Sequence, residues 1–110
     1  MPRVTVSPGA EVIDTITKAV AETGITDASI TLIGAVDEAT ISTMPRHDAL
    51  TDNLTTYTEP LELTGTGEVV DGNPHVHVVL CREGDQTIGG HLHAATVRTF
   101  FVHAYLTPTD

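Results

Sequence analysis

An α+β fold, with a mostly antiparallel sheet packed against one main helix, is predicted by three features of this sequence. One stretch, residues 9–23, carries apolar residues at helical spacing. Much of the chain after it alternates between apolar and polar residues, as strands do. Short connections rich in Gly, Asp and Asn separate the later alternating stretches, which favours antiparallel neighbours. The 110 residues, 40% of them hydrophobic, suffice for a single domain over 1–110 that buries roughly two-thirds of its extended surface. Aromatic residues make up only 4%, so Val, Ile, Leu and Ala must fill the interior.

Val4 and Val6 suggest a short opening strand. The helix over 9–23 is entered through Ser7-Pro8-Gly9, with Glu11 and Asp14 in its first turns, where the helix dipole favours acids. Val12, Ile13, Ile16, Ala19 and Val20 define its apolar face, and Gly24 suits the residue that ends it. Ser29–Ala35 alternates as a strand, and a second strand is expected over Glu38–Ser42. The polar segment Met44–Thr56 reads as a long surface loop, a type of segment that is often functional. From Tyr57 onward the pattern is antiparallel β, with turns at Asp71-Gly72-Asn73 and Glu83-Gly84-Asp85. His75–Cys81 is the strongest strand: Val76, Val78 and Leu80 face one way, His75, His77, Val79 and Cys81 the other. A short strand over Gln86–Gly90 and a last one over Val97–Leu106 complete the prediction.

Charge and composition exclude several functions. The net charge is −10, and the cationic residues Arg3, Lys18, Arg46, Arg82 and Arg98 are scattered. Phosphate binding draws on clustered Lys and Arg, so nucleic-acid binding by the isolated domain is disfavoured. Apolar runs fall far short of the ~18 residues of a membrane span, and the N-terminus carries no signal-peptide pattern. A single cysteine, Cys81, leaves no intrachain disulfide, and the expected compartment is the cytoplasm. No P-loop, nucleophile-elbow or dinucleotide motif occurs.

The histidines carry the chemistry. Of six, four lie within residues 75–93. His75 and His77, two apart on a strand, project from one face, and His91 and His93 repeat the spacing after Gly89-Gly90. A hairpin centred on residue 84 would bring His77 beside His91, so their imidazoles converge. Neutral imidazole is a common Zn²⁺ ligand, and three with a water make a familiar coordination set. The metal set is therefore His75, His77 and His91, with Zn²⁺ the expected ion. His93 is read as pointing opposite His91 and is left out, His47 as solvated in the long loop, and Cys81 as a small buried hydrophobe. Among the acids, Glu62 and Glu68 read as a solvated strand face, whereas Glu59 precedes a strand expected to pair near the histidines and is a candidate base for a metal-bound water.

Three segments, Glu59-Pro60-Leu61-Glu62-Leu63-Thr64-Gly65-Thr66, Gly72-Asn73-Pro74-His75-Val76-His77 and Gly89-Gly90-His91-Leu92, together resemble the plant and prokaryote conserved (PPC) domain. The helix entry and Gly24–Ala35 also fit, so the likeness covers nearly the whole chain. It implies an antiparallel sheet on a helix, a homotrimer, and in some members a metal held by the histidines at His75, His77 and His91. The family's Glu corresponds to Glu59, and His103 stands where many members carry a Glu: it could set a fourth imidazole beside the site, but on the face of Phe101 and Tyr105 it reads first as a half-buried structural histidine. Plant members join the domain to a DNA-binding AT-hook. No such tract flanks Arg3 here, so DNA binding is not carried over.

The reading that follows is a homotrimeric, metal-binding module of assembly or regulatory role, ranked above a small metal-dependent enzyme and above a DNA-associated protein. A cupin-type enzyme fits less well: after His77, Glu83 comes too late and Gly89 follows it too soon for that motif. Apolar residues on both faces of the His75–Leu80 strand give the trimer a separate reason. The helix covers one face, and a partner subunit over Val79, Phe101 and Tyr105 covers the other. The alternative cover is the long loop.

Overall fold

The computed structural model describes residues 2–109. In chain order the elements are β1 (Arg3–Val6), α1 (Val12–Thr23), β2 (Ala28–Val36), β3 (Glu38–Thr43), β4 (Asn53–Tyr57), β5 (Leu61–Val70), β6 (Asn73–Arg82), β7 (Gln86–Thr96) and β8 (Val102–Pro108). The eight strands form one sheet in the order β1-β8-β2-β5-β6-β7-β3-β4, and every neighbouring pair is antiparallel. The predicted α+β architecture is the one observed.

The helix starts later than its periodicity suggests. Ser7-Pro8-Gly9 forms a turn closed by Ala10 N–H to the Ser7 carbonyl, and α1 begins at Val12. Glu11 is the cap: its carboxylate accepts from Ile13 and Asp14 N–H at 3.0 and 2.9 Å. The same carboxylate accepts from Ala95 N–H of β7 at 2.8 Å, tying the helix end to the sheet. Gly24 ends the helix in the left-handed conformation, with its N–H on the Val20 carbonyl, as expected. Val12, Ile16 and Val20 are buried, and α1 lies against β1, β6 and β7.

Three sequence expectations need correction. Met44–Thr56 is not all loop, because Asn53–Tyr57 forms β4 on the outer side of β3. That strand is polar and almost wholly exposed, so no apolar alternation betrays it. The strand expected over Gln86–Gly90 continues to Thr96, because β3 pairs with its second half. The last strand starts at Val102 rather than Val97. The Asp37 carboxylate collects the N–H groups of Arg98 and Thr99 at 2.6 and 2.9 Å, and Val97 N–H goes to the Ala10 carbonyl. Those backbone donors are thereby withheld from a ladder. The Thr99 bond, above all, holds the Asp37 carboxyl below its ordinary pKa.

Two hairpins place the histidine strand. Asp71 and Gly72, both at positive φ (51° and 80°), make a two-residue turn between β5 and β6. Glu83-Gly84-Asp85 joins β6 to β7 with Arg82 opposite Gln86. On β6, Val76, Val78 and Leu80 enter the core while His75, His77 and Val79 stay exposed, as the alternation predicts. The opposite face is not covered by the long loop, since Ile33, Val79 and Phe101 are 59%, 48% and 52% exposed. No helix among the described residues is long and apolar enough to cross a membrane.

Leu80 is fully buried beneath this sheet, and Thr87 lies exposed on the neighbouring strand. Leu80→Ala is expected to cost about 2–5 kcal/mol in urea unfolding, against within about 0.5 kcal/mol for Thr87→Ala. Equal losses would contradict the assignment of faces.

Candidate metal centre

The β6–β7 register pairs His77 directly with His91, as the turn centred on Gly84 requires. His75 lies two residues before His77 on the same face. The ring centroids of His75 and His77 are 5.0 Å apart, those of His75 and His91 4.8 Å, and those of His77 and His91 5.8 Å. One ring nitrogen from each of the three lies within 4.8 Å of the others, and no other such group of metal-capable side chains occurs among the described residues.

Close backbone packing holds this geometry. A Cβ at Gly67 would run into the His75 carbonyl, and one at Gly90 into the carbonyl of Ser42. Glycine therefore lets β5 approach the strand that carries His75, and lets β3 approach the strand that carries His91.

Burial and donor set fit a divalent ion. Zn²⁺ sits about 2.0–2.1 Å from each nitrogen, which in tetrahedral geometry requires nitrogens about 3.4 Å apart. The nitrogens lie within 4.8 Å of one another, wider than that, so holding the ion requires the exposed His75 and His77 side chains to turn inward. The His91 pKa lies below the usual imidazole value, first because His91 is partly buried, then because His93, His75 and His77 crowd it; Asp52 opposes the shift. A folded value below the unfolded one of about 6.5 keeps this ring neutral, and so able to bind metal, to lower pH than a free imidazole.

The remaining sequence candidates lie elsewhere or in other roles. Glu59 is not beside the histidines: its two oxygens take Arg82 Nε and Nη2 at 2.8 and 3.0 Å. Antiparallel pairing sets the start of β5 against the end of β6, and Arg82 lies five residues beyond His77, about 16 Å along the strand. The carboxylate on the neighbouring strand is instead Glu68, opposite His75 and lining a shallow hollow with both β6 histidines. His103 is on β8, separated from β6 by β2 and β5, and its ring packs against Phe101 at 4.7 Å. Cys81 is a half-buried free thiol opposite Glu62, and His47 is exposed in a turn.

His93 corrects the expectation that it points away from His91. Residues two apart on a strand share a face, and the two rings stand 4.6 Å apart. The β3–β7 register skips His93, placing Thr40 opposite Ala94 and Ile41 opposite Leu92, so His93 is the extra residue of a bulge. Its Nε2 lies 2.8 Å from Ser42 Oγ and 3.8 Å from Asp52 Oδ2. Ser42 and Asp52 were not legible as site residues, since only the β3 pairing and the loop return bring them there.

A model of the Plants and Prokaryotes Conserved (PCC) domain matches residues 3–109. A search of curated proteins returned no match. Among solved structures, a metal-containing protein from Archaeoglobus fulgidus is 28% identical, with a TM-score of 0.84 over 99% of this chain and 79% of that one. A protein from Ralstonia eutropha, proposed there to bind DNA, is 25% identical, with a TM-score of 0.85 over 98% and 77%. A plant- and prokaryote-conserved protein from Pyrococcus horikoshii, 24% identical over 99% and 78%, shares the fold with a TM-score of 0.83.

The Glu59–Arg82 pair yields a pH-dependent expectation. The Arg82 hydrogen bonds hold the Glu59 carboxyl below its ordinary value. Stabilisation from a depressed carboxyl is present above the unfolded pKa and is lost as pH falls through the folded one. Glu59→Gln should therefore lower Tm at pH 7, and that difference should vanish in scans taken toward pH 3. A difference that persists there would remove the ion pair as its cause.

Proposed function

The chain belongs to the Plants and Prokaryotes Conserved domain family, and from that membership and its histidine cluster we propose that it is a homotrimeric module binding one divalent metal ion, Zn²⁺ first, through His75, His77 and His91. The observation that carries the reading is the convergence of three imidazoles from two paired strands within a few ångströms. The metal-containing relative from Archaeoglobus fulgidus supports it. A bound ion would supply Lewis acidity and a coordination position open to solvent. The chain supplies three nitrogen donors from two paired strands, with Glu68 and Asp52 as nearby acids.

The role proposed is assembly or regulation in the cytoplasm rather than catalysis. Charge works against nucleic acid as the partner: the net charge is −10, and Arg82 and Arg98 already face Glu59 and Glu38. The apolar residues left bare on the sheet support the trimer. Ile33 and Val79 stand in one cross-strand row, His103–Ile33–Thr64–Val79, with Phe101 beside it.

Elemental analysis of protein purified without chelator or nickel resin should find near one ion per chain, and His77→Ala should reduce this to background. Absence of metal from the wild type would overturn the reading. Because imidazole must be neutral to bind, affinity should fall as pH is lowered, and the lowered His91 pKa places the loss of that ligand below the free-imidazole value. Static light scattering should give about 35 kDa, three times the 11.6 kDa chain. Val79→Asp should move that mass toward the monomer, and a wild type already at the monomer mass would end the trimer.

A further inference from the structure

The cleft beside the histidines also has an acid in its wall. It measures about 610 Å³ and is lined by His75, His77 and His91 together with Asp52. Met44 and Ala49, from the loop between β3 and β4, give it an apolar wall. Asp48 orders that loop by accepting from Leu50 N–H at 3.0 Å and Thr51 Oγ at 2.8 Å. Asp52 Oδ2 stands 3.8 Å from His93 Nε2, beyond hydrogen-bond range, while that nitrogen lies 2.8 Å from Ser42 Oγ. The Asp52 side chain is about half exposed (47%) and faces the cleft with accepting capacity to spare.

Resting on the metal reading above, we propose that this cleft binds a small zwitterion: a carboxylate that ligates the metal, a short aliphatic chain, and an ammonium group held by Asp52. Each part follows from the wall it meets. Three neutral imidazoles leave a divalent ion its full positive charge, which favours an anionic oxygen donor. Met44 and Ala49 accept methylene groups. Beside Asp52 a second carboxylate would meet a like charge, whereas an ammonium group gains a charge-assisted hydrogen bond. The His91–His93 ring centroids are 4.6 Å apart and His93 Nε2 is 3.8 Å from Asp52 Oδ2, which puts Asp52 within the span of a short chain from the histidine cluster.

The test uses the full chain loaded with Co²⁺, whose visible bands respond to a new ligand. γ-Aminobutyrate is titrated against butyrate, a pair that differs in the terminal ammonium group. An ω-amino acid is chosen because an α-amino acid would chelate the ion. The aminated ligand is expected to shift the bands at concentrations at least ~10-fold lower than butyrate, equivalent to about 1.4 kcal/mol. In Asp52→Asn, whose unliganded spectrum should match the wild type, the two ligands should act at the same concentration. Equal potency on the wild type, a preference that survives in Asp52→Asn, or no band shift with either ligand would overturn the ligand class while leaving the metal site standing. Failure to load cobalt would remove the metal reading and this inference with it.

Discussion

The register of the β6–β7 hairpin is the constraint on which the site depends. Because side chains alternate with a period of two, a slip of one residue would send His77 or His91 into the core and a core residue into the site. Two things oppose that slip. Glu83-Gly84-Asp85 fixes Arg82 opposite Gln86, and Val76, Val78 and Leu80 are committed to the buried face. The same register carries further. With His91 opposite His77, β3 sets Ser42 against His91, and the bulge at His93 then gives that histidine a hydroxyl partner.

The buried side of the sheet is made rigid by a different device. Glu11 caps α1 and also takes the Ala95 N–H of β7, so one carboxylate fixes both the start of the helix and its position on the strand that carries His91. Beneath it the core is almost purely aliphatic, and Ser42 is the one buried polar residue among those described. Such a core is close-packed, so a neighbouring strand forced outward would leave voids in it. Gly67 and Gly90 keep the strand spacing where a side chain would force neighbouring strands apart, and both lie beside a histidine strand.

Local chemistry in the sequence was enough to read the fold class, the helix end at Gly24, both hairpin turns and the pairing of His77 with His91. Each depends on residues close together in the chain. Most of the corrections have the opposite cause. β4 is a polar edge strand whose partner is supplied from a distance, so neither apolar alternation nor propensity marks it. The end of β7 is rich in His and Ala and becomes a strand only because β3 pairs with it. The break at Val97–Phe101 comes from Asp37, about sixty residues away in sequence. Placing Glu59 needed the direction of β5 relative to β6, which hydrophobic periodicity does not encode. His93 was a different case, because the two-residue period alone already places it on the face of His91.

The exposed face joins the two halves of the proposed function. The row Tyr105–Thr31–Thr66–His77–His91 contains two of the three proposed ligands, and the adjacent row His103–Ile33–Thr64–Val79 contains the bare apolar residues. The rows are two residues apart along each strand, about 7 Å. A second copy burying Ile33 and Val79 would therefore bring its own surface to the rim of the histidine cluster. Desolvation there favours neutral imidazole and strengthens attraction between the ion and any anionic ligand. Assembly and metal affinity then become linked quantities. Each should shift the other by the same free energy, whichever of the two forms first.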